Sequence, residues 1–124
     1  MVTKDIGNLG ESLAVKALKK AKYKIIERNF NARIGEIDII AKDKDYLCFV
    51  EVRMRKSEEH GSGAETVNIY KQQKIIKAAW VYLVKNNLTD CPCRFDVVSI
   101  TGDGGKESRV EIIKNAFEIP SQNF

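Results

Sequence analysis

Two acids stand where a buried strand would otherwise be apolar, and they constrain this chain more than anything else in it. Asp38 lies between Ile37 and Ile39, and Glu51 lies between Val50 and Val52. Both fall within residues 33–53, RIGEIDIIAKDKDYLCFVEVR, which read as two strands, 33–41 and 46–53, joined by the polar turn KDKD. Side chains alternate faces along a strand. Alternation puts Glu36, Asp38, Glu51 and Arg53 on one face and Ile37, Ile39, Ala41, Cys48, Val50 and Val52 on the other. With Lys44 and Asp45 as the turn, Asp38 is expected opposite Glu51, with Cβ atoms roughly 4.5–5.5 Å apart. Carboxylates that close repel unless a cation or a shared proton relieves them. Hard divalent cations prefer oxygen ligands, and Mg²⁺ takes one or two carboxylates with waters and substrate phosphates. The plainer reading is a half-exposed hairpin with a solvated polar face. Against it, Ile34, Ile40, Leu47 and Phe49 flank the acids on their own face, so a covered pocket is expected.

Elsewhere the signals are weaker. Residues 8–22 read as a helix with a small-residue stripe of Gly10, Ala14, Ala17, Leu18 and Ala21. Asn8 or Asp5 is a candidate cap. Gly7 and Gly10 would let another backbone come close. Glu11 borders the stripe, either as an acid favoured in a first helical turn or as an inward carboxylate meeting the hairpin acids. Residues 23–30 read as a strand and 54–68 as a loop beginning beside Glu51 and carrying the single histidine, His60. Residues 69–86 form a second helix with an expected buried stripe of Ile69, Gln72 or Gln73, Ile76, Ala79, Trp80 and Leu83. Its Lys71, Lys74 and Lys77 face solvent or phosphate. Strands follow at 94–100 and 109–117 around a GDGG turn, and 118–124 read as a frayed tail. The order α-β-β-β-α-β-β gives an α/β class with a mixed central sheet flanked by helices.

The chain has 124 residues, 44% hydrophobic and 31% charged, with a net charge of +4. These values suit one soluble domain and permit a polyanionic partner. No apolar run reaches the roughly 20 residues of a membrane span, and the opening residues lack a signal-peptide core. A cytoplasmic protein without membrane association is therefore expected. The three cysteines do not suggest a disulfide framework. Cys48 reads as a small core residue, and Cys91, Cys93 and His60 lack a fourth zinc ligand.

GNLGESLAVKALKKAKYKIIERNFNARIGEIDIIAKD, FVEVRMR, KQQKIIKAAWVYL and RFDVVSI together resemble the bacterial YraN family over roughly residues 7–117. That family is similar to the restriction-endonuclease-like PD-(D/E)xK superfamily, which includes archaeal Holliday-junction resolvases. The resemblance implies the three-layer restriction-endonuclease-like fold. It implies that Asp38 is the motif aspartate, that Glu51 is the acid of the (D/E)xK element, and that Glu11 is the acid carried by the first helix in resolvase-like members. Arg53 stands where the motif usually has lysine. Arginine can stabilise charge but is effectively never a base.

The expected function is metal-dependent endonucleolytic hydrolysis of DNA, with branched DNA as a candidate substrate. Asp38, Glu51 and the Val52 carbonyl would hold Mg²⁺ or Mn²⁺, joined by Glu11. Arg53 would stabilise phosphate charge, and Arg55, Lys71 and Lys74 would contact the nucleic-acid backbone. The alternatives are a nuclease-fold nucleic-acid-binding module without turnover and a protein-interaction domain. The oligomeric state is left open, a homodimer included.

Overall fold

The computed structural model describes residues 2–56, 67–103, 105 and 107–119, with side chains from Leu9 onward. His60, most of the 54–68 loop, Gly104 and residues 120–124 lie outside these. The elements follow the expected order: α1 (Val2–Lys20), β1 (Lys24–Ala32), β2 (Gly35–Asp43), β3 (Tyr46–Arg55), α2 (Ile69–Lys85), β4 (Cys93–Thr101) and β5 (Arg109–Phe117). The strands form one sheet in the order β1-β2-β3-β4-β5. Neighbours are antiparallel except β3 and β4, which are parallel. A parallel pair needs a long crossover, and α2 lies within it.

The helices cover opposite faces, which the sequence left undecided. Against α2 pack Ile37, Ile40, Phe49, Phe95 and Val97, and the helix adds Ile75, Ile76, Ala79, Tyr82 and Leu83. Against α1 pack Ile39, Ala41, Cys48, Val50, Val98 and Ile100, and the helix adds Ala14 and Leu18. The first core is aromatic: Phe49 and Phe95 stack at 5.7 Å, and Tyr82 meets Phe30 edge-on at 5.2 Å. Of the expected α1 stripe, Gly10, Ala14 and Leu18 are buried, Ala17 is half-buried and Ala21 is exposed, because the helix ends at Lys20.

Several local expectations change. α1 begins at Val2, so Asp5 and Asn8 lie inside it and do not cap it. Lys22, with φ of 74°, ends this helix in a left-handed turn, and the Tyr23 N–H donates to the Leu18 carbonyl. On α2 the buried stripe is rotated from the expected one. Trp80 is 49% exposed and Ile69 is 52% exposed, while Ile75, Ala78 and Tyr82 are buried. Trp80 fitted the helical spacing equally well, and the sheet's aromatic layer selects Tyr82 instead. β2 starts at Gly35, two residues later than expected, and Ile34 sits 48% exposed in the β1–β2 turn, where it lines a cleft together with Lys71 and Lys74. No described helix is long and apolar enough to cross a membrane.

Candidate functional site

The β2–β3 hairpin turns at Lys44 and Asp45, as expected, with Lys44 at φ 55°. Its ladder runs from Asp43↔Tyr46 to Ile39↔Val50 and stops there, one step short of Asp38 and Glu51. The strands part at Asp38. In place of a backbone partner, the Val52 N–H donates to Asp38 Oδ2 at 2.8 Å. On the other side of β2, Asn29 falls opposite Asp38 in the β1 register and adopts a left-handed φ of 56°. Asparagine tolerates that conformation better than most residues. With both neighbours irregular, strict alternation fails. Ile37 joins Ile40 and Phe49 on the α2 side, whereas Ile39 stays on the α1 side. The expectation that Ile37 and Ile39 share a face is therefore corrected, because face assignment by parity assumes a continuous ladder.

The parting makes a gap whose rim is polar. A strand residue presents its N–H and C=O to the same neighbour, so the Val52 carbonyl turns towards Asp38 as its N–H does. Glu51 is 4% exposed, and its Oε2 lies 3.4 Å from Lys71 Nζ on α2. Glu11 reaches the gap from α1. The helix approaches β3 closely at Gly10, where an added Cβ would lie 3.3 Å from Met54 Sδ and 3.9 Å from a Val52 methyl. What comes close to Gly10 is the Met54 and Val52 side chains rather than another backbone, and its neighbour Glu11 lies on the same helix turn. The Glu11 side chain is 15% exposed and pairs with Arg28 Nη2 at 3.5 Å.

Burial foremost, then the Glu51 carboxylate and a smaller push from Glu11, together raise the Asp38 carboxyl to about 7. The Val52 N–H works in the opposite direction and is outweighed. Asp38 thus feels both other acids, one from each face of the sheet.

Asp38, Glu51 and the Val52 carbonyl form a hard oxygen set in a partly buried gap, which fits Mg²⁺ or Mn²⁺ chemically. Among the described residues, no group of three or more His, Cys, Asp or Glu side chains converges as a metal site. The fit therefore rests on two carboxylates and a carbonyl, a set Mg²⁺ commonly completes with water and phosphate. Glu11, held by Arg28, stands behind them.

The cationic residues divide. Arg53 lies on β3 in register with Ser99, and Arg55 ends that strand in register with Thr101. Lys74 is exposed on α2. Its carbonyl lies 3.0 Å from where a Cβ on Gly35 would be, so the β1–β2 turn packs directly on this helix. Between them is a cleft of about 290 Å³ lined in part by Arg33, Gly35, Glu36, Lys71 and Lys74. Arg33 was not among the expected site residues, although its basic side chain opens the hairpin stretch.

A second polar cluster, unforeseen in the sequence, lies towards the other end of the sheet. Arg94 bonds Asp43 Oδ2 at 2.8 Å and both carboxylate oxygens of Asp96 at 2.9 Å. Tyr23 Oη donates to Asp96 Oδ2 at 2.8 Å, the Asn115 N–H to Asp96 Oδ1 at 2.9 Å, and Lys114 to Asp43 at 3.1 Å. Hydrogen bonding to Arg94 holds the Asp43 carboxyl below the usual range. Cys48, beside this network, is buried, and burial pushes its thiol up to about 12.

The sequence is similar to proteins of several bacteria. It is 47% identical to a UPF0102 protein of Acetivibrio thermocellus over 90% of this chain and 89% of that one. It is 44% identical to a UPF0102 protein of Clostridium kluyveri over 94% and 96% of the two chains. It is 47% identical to one of Geobacter metallireducens over 94% of each. The model of the uncharacterised protein family UPF0102 matches residues 10–100, which span Glu11, Asp38, Glu51, Arg53 and Lys71. Family match and relatives agree with the YraN resemblance, and the chain belongs to UPF0102.

Proposed function

We propose that this protein is a metal-dependent endonuclease-like hydrolase of DNA phosphodiesters, built on a restriction-endonuclease-like fold, with branched DNA as a candidate substrate. One observation carries the reading. Asp38 and Glu51 converge where β2 leaves β3, and Asp38 is pushed up to about 7 by burial and by its acidic neighbour. Such crowding destabilises a fold, and an ion-binding site supplies a reason for it. The five-stranded mixed sheet with a helix on each face is compatible with the proposed fold.

In this reading Asp38, Glu51 and the Val52 carbonyl hold Mg²⁺ or Mn²⁺. The ion supplies a lowered pKa for water and neutralises charge developing on phosphate. The Val52 N–H holds the Asp38 carboxylate by one oxygen, leaving the other for the ion in this reading. Arg53 donates to non-bridging phosphate oxygens. Lys74, Arg55 and Lys71 line the approach of the nucleic-acid backbone, and the net charge of +4 favours that approach.

Arg53 favours a second reading, a DNA-binding module of the same fold without turnover. The arginine removes the lysine that the motif uses on the attacking water. Incubation with duplex, single-stranded and four-way-junction DNA in Mn²⁺ separates the two. Hydrolysis predicts cleavage by the wild type and none by Asp38→Asn. Salt-sensitive binding with every substrate left intact would favour the module.

A further inference from the structure

We infer that Lys71 is an exchangeable cation: it neutralises Glu51 while the metal is absent and is released to a DNA phosphate when the metal arrives. The inference rests on the metal-site reading above and extends it to how ion and nucleic acid are coupled.

Lys71 combines three properties. Its Nζ lies 3.4 Å from Glu51 Oε2, and that carboxylate is 4% exposed. The ammonium arm is 47% exposed, so it reaches a buried acid from the surface and stays accessible. The same side chain lines the cleft of about 290 Å³ that also holds Arg33 and Lys74. One cation thus borders both the acids and the basic surface.

Its place on α2 is unfavourable by local rules. Asn68 is the N-cap, its Oδ1 accepting the Lys71 N–H at 2.9 Å, so Lys71 lies in the first helical turn. The helix dipole favours acids there and disfavours ammonium groups, and that turn contains no acid. The turn is also pinned: Gln72 Nε2 donates to the Val67 carbonyl at 2.8 Å. A lysine held in an unfavourable turn against a buried carboxylate marks an interaction made across the fold. Two carboxylates can neutralise a divalent ion without help from an ammonium group. With the ion in place, Glu51 no longer needs Lys71, and an ammonium freed into that cleft, which also holds Arg33, Lys74 and Glu36, is available to a DNA phosphate.

The exchange makes binding of the ion and of DNA mutually reinforcing, and such coupling is reciprocal. It is tested with Mg²⁺ titrations of wild type, Lys71→Met and Lys71→Arg, alone and with a short fluorescent DNA duplex whose integrity is checked afterwards. Lys71→Met should bind Mg²⁺ about threefold to tenfold more tightly, because a competing cation is gone. Its DNA affinity should respond to Mg²⁺ at least about fivefold less than that of the wild type. Lys71→Arg should retain most of the wild-type coupling. A Lys71→Met protein with wild-type Mg²⁺ affinity and wild-type coupling overturns the inference. If the coupling is seen and the DNA stays intact, hydrolysis fails and the cation exchange stands. If neither wild type nor Lys71→Met binds Mg²⁺, both fail together.

Discussion

Asp38 and Asp96 look alike in the sequence and differ in the fold. Each is an aspartate between two large apolar residues in a strand, Ile37 and Ile39 for one and Phe95 and Val97 for the other. Asp96 is fully buried, and its carboxylate receives Arg94, the Tyr23 hydroxyl and the Asn115 N–H. Asp38 receives a backbone bond from Val52 and otherwise faces Glu51 and Glu11. Asp43, at the Asp96 end of β2, lies five residues and roughly 17 Å along the strand from Asp38. One cluster balances Asp43 and Asp96 against Arg94 and Lys114; the other collects acids at a break in the ladder. An acid in an apolar strand marks a place where something must compensate. Only the neighbours decide whether the protein supplies the compensation itself.

The contrast predicts opposite signs for similar substitutions. Asp96→Asn should be the most damaging, costing about 3–5 kcal/mol in denaturant unfolding, because it removes the fully buried carboxylate that pairs the half-buried Arg94. A neutral result would show that the balanced cluster contributes little. Asp38→Asn should instead stabilise the metal-free protein above pH 7, by on the order of 1–3 kcal/mol. The sign follows from linkage. Asp38 is raised in the folded state, so the fold binds its proton more tightly than the unfolded chain does. Its cost is absent below the ordinary carboxylate range, grows as pH rises towards about 7, and stays above it. Asp43 behaves oppositely: it is lowered in the fold, so its stabilisation holds at neutral pH and fades as pH falls through its depressed value. Melts of Asp38→Asn and Asp43→Asn across the acid-to-neutral range check the two slopes. If Asp38→Asn destabilises at every pH, the two clusters are equivalent.

Gly35→Ala is a smaller test, of placement rather than charge. Its Cβ would press on the Lys74 carbonyl and shift the β1–β2 turn against α2. A loss of about 1 kcal/mol is expected in thermal melts, with weakened Mg²⁺–DNA coupling through Lys71. Unchanged coupling would mean that the α2 contact does not position the lysine. Arg53→Lys should change stability least, within about 0.5 kcal/mol. If the arginine limits turnover, this variant should cleave DNA faster in Mn²⁺; equal or slower cleavage shows that arginine serves the site as it stands.

Much of this was legible in the sequence. The element order, the Lys44-Asp45 turn, the buried Cys48 and the closeness of Asp38 to Glu51 all follow from turn chemistry and alternation. The direct face-to-face pairing of those acids did not follow. Alternation describes an unbroken strand, and β2 loses its partner where the acids sit. Trp80 and Tyr82 show a second limit: both suit a buried helix stripe, and only the Phe30 and Phe49 rings against the helix select Tyr82. The Arg94 network joins residues up to 73 positions apart, and no local pattern announces it. Glu11 was visible as an acid beside an apolar stripe, but its approach to Asp38 depends on Gly10 meeting Met54 across the sheet.

On the proposed reading, Asp38 is held in an acid pocket that a divalent ion would relieve. This reading is tested most directly by an NMR titration of the Asp38 carboxyl carbon, with and without saturating Mg²⁺. The expected result is a midpoint near 7 without the ion and a fall of at least about two pH units with it, a shift that Asp96 does not share. An Asp38 that titrates in the ordinary carboxylate range, or whose midpoint ignores Mg²⁺, would contradict it.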